Sequence, residues 1–310
     1  MASTHRQPGV KRVATQWYAL GNGNFALTGG SNIGVIIREG QAIIIDAGLD
    51  KDAAKKALRA VADAGAKPAA LIITHGHADH FGGAGWLAQQ ADIPVYAPPL
   101  EGVFAAHPLL EPLFLYGGAA PIAELQGKFT LARQEVETVV PLAPGTQEIA
   151  GIPVDILPLP GHAPQQIGVG ASHTCYCGDV VFPDETLERH PILFCADMDA
   201  WLKTLESLPT LPYTRYVPGH GEPVQDIAAL AERNAARLHE IRARVWESLG
   251  TPQEAQSVLR DVAARYGITF TAPQFFLLAL TTIHAALASL QMGGEARVEM
   301  IDNQMMWRRR

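Results

Sequence analysis

An apolar run in the first third of the chain ends in a dense group of histidines. Leu-Ile-Ile at residues 71–73 is followed by Thr-His-Gly-His-Ala-Asp-His, which places His75, His77, Asp79 and His80 within six positions. A buried strand would deliver His75 to a sheet edge, and the two-residue spacing lets His75 and His77 face one ion. Asp79 and His80 fall where a helix is expected to begin, near residue 81, so they point elsewhere and suit a second ion. A metal site explains this density of ligand-type side chains better than a solvated loop or locally hydrogen-bonded histidines.

Three further segments carry metal-binding residue types, each directly after a short apolar run. They are Pro160-Gly161-His162, Gly178-Asp179 and Pro218-Gly219-His220-Gly221. Such an order is expected when loops at one edge of a sheet sandwich converge on a site. The pattern HxHxDH followed by PGH, GD and PGHG resembles the metal signature of the metallo-β-lactamase superfamily, from about residue 32 to residue 224. The resemblance implies an α/β fold, an αββα metallo-β-lactamase sandwich.

The same resemblance implies a set of metal ligands and a catalytic group. The set is divided between two ions and has one shared member: His75, His77 and His162 for one ion, Asp79, His80 and His220 for the other, and Asp179 as the bridge. Two divalent ions are therefore expected, with Zn²⁺ suited to these ligands and Mn²⁺ or Fe as alternatives. A metal-bridging hydroxide would be the nucleophile, and Asp79 would be the catalytic residue that orients it and passes a proton to the leaving group.

Details of the pattern narrow the class of enzyme. Flavodiiron-type members carry glutamate where this chain has His77, which disfavours that redox chemistry. The zinc-dependent β-lactamases lack an aspartate at the bridging place, whereas Asp179 resembles the one in glyoxalase II, lactonases and thioesterases. The C-terminal basic residues with which glyoxalase II binds glutathione have no evident match. The resemblance thus implies a metal-dependent hydrolase of a small ester, thioester or lactone.

Other activities stay open at this point. A persulfide dioxygenase of the same fold, an oxidoreductase, would use the positions matching His75, His162 and Asp179 for a single iron. A phosphodiesterase or nuclease of the same superfamily is a second alternative. A metal-stabilised interaction protein without catalysis is a third, and the full ligand set argues against it.

Composition bounds the partners and the compartment. The 310 residues are 48% hydrophobic and 18% charged, as in an ordinary globular protein of one large domain or two domains. A net charge of −7 argues against nucleic acid as the partner, because phosphate neutralisation needs a basic surface. The polar residues 1–9 lack the apolar stretch of a signal peptide, and Cys175, Cys177 and Cys195 cannot all pair, so we expect a cytoplasmic protein.

Strand and helix patterns surround the ligand loops. Apolar runs indicate strands over residues 31–37 and 41–46, and the periodicity of residues 51–64 indicates a helix before the first ligand strand, which together make an α/β unit. Asp46 is expected either to orient a ligand loop or to serve as a strand-end turn residue. His107 and His190 each precede a proline without ligand-type neighbours, and we expect them to be structural.

Residues 101–138 form the least regular stretch, rich in proline, glycine and bulky apolar side chains such as Phe104, Phe114 and Tyr116. We expect either a partly helical lid that lines the substrate entrance or a helical excursion packed into the core. Both roles are compatible, because apolar pockets and cores are lined by the same residue types.

The character of the sequence changes after Val224. Helical patterns cover residues 227–249, a segment opened by Thr251 and Pro252, and residues 272–291, and a hairpin pattern follows them. We predict a metallo-hydrolase domain over residues 1–225 and a helical, winged-helix-like domain over residues 226–310. Acidic residues interleave with its arginines, which disfavours DNA binding. Its apolar third helix is interpreted as too short and interrupted to span a membrane, and we expect it to cover the metal edge or to form a homodimer.

Overall fold

Two β-sheets form the centre of the molecule, in a computed structural model that describes residues 15–310. The segment predicted to lack a signal peptide lies outside the described residues. The first sheet has seven strands that follow one another in space as in sequence: β1 (Gln16–Gly21), β2 (Asn24–Thr28), β3 (Ile33–Arg38), β4 (Gln41–Ile45), β5 (Lys67–Ile72), β6 (Val95–Ala97) and β7 (Val139–Pro141). The second sheet has five strands, which also lie side by side in sequence order: β8 (Gly145–Ile149), β9 (Ile152–Pro158), β10 (Ile167–Ala171), β11 (Thr174–Gly178) and β12 (Arg215–Pro218).

Helices lie between and after the strands. They are α1 (Lys51–Asp63), α2 (Ala78–Phe81), α3 (Ala84–Ala91), α4 (Pro99–Ala106), α5 (Leu110–Leu115), α6 (Asp184–Arg189), α7 (Met198–Ser207), α8 (Ile227–Ser248), α9 (Ala255–Arg265) and α10 (Pro273–Met292). Short 3₁₀ turns occur at Ala123–Leu125 and Leu208–Thr210, and the chain closes with a hairpin of β13 (Ala296–Ile301) and β14 (Gln304–Arg309).

Side-chain alternation along the strands explains why the sheets are covered on both faces. In β4, Ile43 and Ile45 face the apolar layer between the two sheets, whereas Ile44 packs in the layer that contains Ala57 and Val61 of α1. On the outer face of the second sheet, Cys175 and Tyr216 share a core with α7 and α8. The layers are helix, sheet, sheet and helix, so the predicted αββα sandwich is confirmed.

The strand directions bring the carboxyl ends of β4 and of the four strands that precede the predicted ligands to one edge of the sandwich. β4 and β5 are parallel neighbours in the first sheet. In the second sheet β9 and β11 both run antiparallel to β10, and β12 runs parallel to β11, so β9, β11 and β12 share one direction. Strands that run in the same direction have their carboxyl ends at the same edge of a sheet. Each predicted ligand segment directly follows one of these strands.

The C-terminal segment contains the expected three helices and hairpin. Helix α10 packs against α7, α8, α9 and β13, and its N-terminal part reaches α5 and the 3₁₀ turn Ala123–Leu125. One hydrophobic cluster runs from Cys175 in β11 to Trp307 in β14, so this segment and the second sheet share a core. The division at residue 225 and the homodimer stay predictions.

The start of α9 differs from the expectation, and so does the length of the apolar helix α10. Residues 251–254 do not open α9, because the backbone of Gln253 exchanges two hydrogen bonds with Trp307 of β14 and is held extended, and α9 begins at Ala255. Helix α10 has 20 residues, long and apolar enough by length and composition to cross a membrane. A core helix of a globular protein passes the same test, and Ile283, Leu287 and Leu290 on α10 are fully buried within this chain.

Candidate metal centre

All seven predicted ligands lie together at the edge where β5, β9, β11 and β12 end. They form three overlapping groups in which the potential ligand atoms lie within 4.8 Å of one another: His75 with His77 and His162, His75 with His80 and Asp179, and Asp79 with His80 and His220. His75 and His80 each belong to two groups, so the groups form one continuous cluster. Among the described residues, His107 and His190 belong to none of these groups.

The helix after the ligand loop starts earlier than expected. Helix α2 begins at Ala78 and not near residue 81, so Asp79 and His80 lie within it. The ring of His80 consequently lies beside that of His75, with centroids 4.3 Å apart, and does not point away from it. The two ligand sets implied by the sequence therefore adjoin each other.

Asp179 lies between the histidines of the two sets. Its Oδ1 is 3.3 Å from His80 Nε2, and its Oδ2 is 3.5 Å from His162 Nε2 and 3.4 Å from His220 Nε2. Gly219 leaves room for this carboxylate, because a Cβ at that position would overlap Asp179 Oδ1. The carboxylate thus contacts histidines of both sets, with Oδ2 between His162 and His220 and Oδ1 toward His80, as the sequence prediction requires of a bridge.

Three buried polar atoms in this cluster have no hydrogen-bond partner. They are His75 Nε2, His80 Nε2 and Asp179 Oδ1; the last two lie 3.3 Å apart without the alignment of a hydrogen bond. A buried polar atom left without a partner costs about 1–3 kcal/mol, so each of these atoms is expected to have a further partner. Imidazole nitrogens and carboxylate oxygens are ligands of Zn²⁺ and related divalent ions, and the residues present fit such ions.

The histidines of the first group are held neutral. Burial and the neighbouring imidazoles lower the pKa of His75 well below its ordinary value. Burial and His162 lower the pKa of His77 to about 3, and burial is also the main reason why the pKa of His162 falls to about 4. Because a neutral imidazole is the form that binds a metal, this group is ready to accept an ion at neutral pH.

The second group pairs histidines with carboxylates. Burial opposes protonation of His220, but Asp179 and Asp79 raise its pKa to about 10. The same two carboxylates raise the pKa of His80 well above its ordinary value against the effect of burial. Burial would raise the pKa of both carboxyls, but His80 and His220 lower it below the usual range. Without a metal ion, protons on His80 and His220 therefore supply the positive charge that a bound cation would supply beside the two carboxylates.

Asp46 orients two of the histidines through one hydrogen-bonded chain. Its Oδ1 accepts the Thr74 N–H at 2.8 Å, and its Oδ2 accepts the Thr74 hydroxyl at 2.8 Å and faces His80 Nδ1 at 2.9 Å. The Thr74 Oγ1 in turn lies 3.0 Å from His75 Nδ1. With both Nδ1 atoms engaged in this way, the Nε2 atoms of His75 and His80 face the centre of the cluster. Asp46 also has a left-handed φ of 62° at the strand end, so both roles expected for it are present.

Backbone and hydroxyl groups orient the other ligands. His162 Nδ1 lies 3.1 Å from the Phe194 carbonyl, and His220 Nδ1 lies 2.6 Å from the Gly30 carbonyl. The Ser31 hydroxyl donates to Asp79 Oδ2 at 3.1 Å. Sequence reasoning missed these contacts, because they join positions far apart in the chain and two of them use carbonyl groups that every residue has.

Aromatic rings line the cluster. The Phe194 ring lies 4.9 Å from that of His77, and the Phe182 ring stacks on His220 with centroids 5.9 Å apart. Phe104 of α4 packs against Gly76, where an added Cβ would lie 2.9 Å from its ring. Phe104 also contacts Phe114 of α5, with ring centroids 5.7 Å apart, so apolar surface extends from the ligand loop to the exterior.

Comparison with known proteins assigns the family. The sequence profile of the Metallo-beta-lactamase superfamily matches residues 26–220, which is more than half of the chain and contains all seven clustered residues. The chain belongs to the metallo-β-lactamase superfamily. The members of this superfamily are metallo-hydrolase-like proteins that bind metal ions, and the donor set described above fits that property.

Relatives within the superfamily are distant. A hydroxyacylglutathione hydrolase of Nitrosomonas europaea is 29% identical over 37% of this chain but only 33% of its own length. The probable metallo-hydrolase YybB of Bacillus subtilis is 26% identical over 61% of this chain and 80% of its own length. The crystal structure of a metallo-beta-lactamase family protein from Thermus thermophilus superimposes with a TM-score of 0.73 at 19% identity, over 94% of this chain and 100% of that one. That coverage includes most of the segment after residue 226, so the C-terminal helices belong to the shared fold.

Proposed function

We propose that this protein is a dinuclear metal-dependent hydrolase of a small ester, thioester or lactone, with two Zn²⁺ ions as its cofactors. The observation that carries the proposal is the position of Asp179, whose two oxygens face histidines of two adjoining ligand groups. A single-ion protein has no need for a carboxylate placed between two complete sets of donors. Mn²⁺ and Fe are the alternatives that the same donor types accept.

Each proposed ion has three further donors of its own besides Asp179. His75, His77 and His162 would hold one ion, and Asp79, His80 and His220 the other. When bound, such ions polarise a carbonyl group and make water more acidic. Asp46, Thr74 and the backbone carbonyls behind the imidazoles keep the nitrogen donors aimed at the ions.

Asp79 is the residue placed to handle a proton. Its side chain is 19% exposed, unlike that of Asp179 at 5%, so it borders the opening of the site. Its lowered pKa keeps it anionic at neutral pH. In the proposed hydrolysis the water oxygen forms a bond to the acyl carbon, the bond from that carbon to the leaving oxygen or sulfur breaks, and the proton lost by water passes through the Asp79 carboxylate to the leaving group.

An apolar wall favours a small organic substrate over nucleic acid. Three side chains offer carbon surface to an acyl group: Phe194 beside His77, Phe104 of α4 against Gly76, and the exposed Phe114. The Nitrosomonas relative is named for hydrolysis of hydroxyacylglutathione, a thioester, and this name agrees with the substrate class proposed. We place this activity in the cytoplasm, on the basis of the sequence features described above.

Metal analysis coupled to a substrate panel tests the proposal. The purified protein is analysed for zinc, manganese and iron, and then assayed against thioesters, lactones, esters and phosphodiesters before and after treatment with a chelator. Two ions per chain and chelator-sensitive cleavage of an acyl substrate support the proposal. A single iron with sulfite production from a persulfide selects the dioxygenase, and cleavage of phosphodiesters alone selects the nuclease. Full metal loading without any hydrolysis supports the interaction protein.

A further inference from the structure

Two buried glutamates in the segment between β6 and β7 hold the backbone of the ligand loop. Glu101 of α4 is 1% exposed, and its Oε2 accepts the Gly76 N–H at 2.9 Å. Glu111 of α5 is 8% exposed, and its Oε2 accepts the Ala78 N–H at 2.9 Å. Gly76 lies between His75 and His77, and Ala78 lies between His77 and Asp79. Glu101 therefore holds a peptide unit between His75 and His77, and Glu111 holds a peptide unit between His77 and Asp79.

Glu101 also reaches the second ligand loop. Its Oε1 accepts the Gln165 N–H at 2.6 Å, three residues after His162. The Gln165 side chain returns a contact to α4, because its Oε1 accepts the Leu100 N–H at 2.8 Å. One carboxylate thus joins the loop after β5 in the first sheet to the loop after β9 in the second sheet, and both loops supply histidines to the same group.

These acids have no ion-pair partner within 4.0 Å among the described residues, and only at Glu111 does a more distant histidine, His80, act against the rise in pKa. Neither Glu101 nor Glu111 forms an ion pair with any lysine, arginine or histidine of the described residues. Burial raises the pKa of both carboxyls, and the nearby Asp79 adds to the rise at Glu111. A buried acid without a cation is an expensive way to satisfy one or two amide groups, so a role in packing alone does not account for the pair.

We infer that Glu101 and Glu111 are positioning residues that set the spacing of the metal ligands before an ion arrives. A carboxyl group has two oxygens and keeps an acceptor for a backbone N–H whether or not it is ionised, which suits the two glutamates to this task. The inference rests on the proposed function only in assigning metal to the loop of His75 and His80. It adds that helices α4 and α5, which carry the apolar wall, also form part of the scaffold of the metal centre.

The test compares zinc affinity in variants of the full chain. Glu101→Ala and Glu111→Ala remove the acceptors, whereas Glu101→Gln and Glu111→Gln keep an oxygen that can accept the same N–H at nearly the same volume. Glu124→Gln, an exposed glutamate of the same insertion, is the matched control. Zinc affinity is measured by competition with a chromophoric chelator, and the melting temperature of the metal-free form is measured in parallel.

We expect the alanine variants to lose zinc affinity by about tenfold or more, the range seen when groups that orient metal ligands are removed. The loss should be larger for Glu101, which holds two loops, and the glutamine variants should lie between alanine and wild type. A fall in melting temperature with wild-type zinc affinity in the folded protein would overturn the inference, since it shows a purely structural role. If the alanine variants do not fold, the glutamine variants decide the matter by the same criterion. A wild type that binds zinc but hydrolyses nothing refutes the proposed function and leaves this comparison intact.

Discussion

Asp46 Oδ2 lies 2.9 Å from His80 Nδ1 and accepts a hydrogen bond from the Thr74 hydroxyl as well. We expect Asp46→Asn to weaken zinc binding by about 10–100-fold. The neutral amide cannot offset a positive charge on the His80 ring, and its one oxygen accepts hydrogen bonds from Thr74 and His80 less strongly than a carboxylate does. Asparagine tolerates the left-handed backbone found at this position, so the variant should fold. Asp52→Asn on α1, with a side chain that is 82% exposed, is the control. Chelator competition gives the affinities, and equal values for Asp46→Asn and wild type would show that Asp46 only turns the chain.

Asp179→Asn should weaken both metal sites together. Among the carboxylates of the described residues, Asp179 alone lies within 4.0 Å of histidines of both groups, through Oδ1 toward His80 and Oδ2 toward His162 and His220. Elemental analysis of the wild type should find about two ions per chain, and the variant should hold fewer. Asp63→Asn on α1, with a side chain that is 73% exposed, should retain both. One ion in the wild type, together with no change in Asp179→Asn, would refute the dinuclear assignment.

Loading the metal-free protein with zinc should release protons. His220, with a pKa of about 10, and His80, whose pKa is also raised, are protonated at neutral pH without a cation. Both must become neutral to bind a metal, so zinc affinity should fall as the pH is lowered from about 8 to about 6. Titration calorimetry in buffers with different ionisation enthalpies measures the protons released. A binding heat that does not depend on the buffer would contradict this assignment of charge.

Shortening Phe114 should change substrate preference and leave the metal in place. The side chain is 75% exposed, so Phe114→Ala should cost little stability. The substitution removes the aromatic ring that contacts Phe104 on the outer side of the apolar wall. We expect a higher KM for substrates with an apolar acyl group and an unchanged metal content. Met292→Ala on α10, another exposed apolar residue at 84%, serves as the reference for non-specific effects. Unchanged kinetics would favour the core-packing interpretation of this insertion.

Asn234 should couple the C-terminal segment to the metal centre. Its side chain on α8 accepts the Phe182 N–H and donates to the Phe182 carbonyl, both at 2.9 Å, and Phe182 stacks on His220. Asn234→Ala leaves these two buried backbone groups unpaired, so unfolding should become easier by about 1–3 kcal/mol for each group. Chemical denaturation measures this loss. If the variant retains wild-type stability, Asn234 is not the link between the two parts.

The clustering of these histidines and aspartates could be predicted from the sequence because the signals are local. The two-residue spacing of His75 and His77 and the apolar run before them are both visible within ten positions. The layers of the sandwich could be predicted for the same reason, since alternation within a strand such as β4 decides which side chains face each layer.

The supporting residues depend on contacts between distant positions. Glu111 meets Ala78 from 33 positions away, and Asn234 meets Phe182 from 52. Locally, Glu101 and Glu111 are each recognisable only as the single acidic residue of an otherwise apolar helix. That signal does not reveal that they accept the N–H groups of Gly76 and Ala78. Gln253 was misassigned to a helix because its pairing with Trp307 overrides the preference of the preceding Thr-Pro pair.

The division of the proposed metal ligands between the sheets has a consequence for the order of folding. The loop after β5 in the first sheet supplies four of the seven residues, and the loops after β9, β11 and β12 in the second sheet supply the other three. Each proposed ion needs donors from both sheets, because the first sheet lacks Asp179 and the second sheet supplies only one histidine to each ion. Ions captured early by the histidines of the first loop would be held weakly, and tight capture would wait until the two sheets have docked. Metal uptake during refolding should therefore be a late event, and its rate would report the closure of the sandwich.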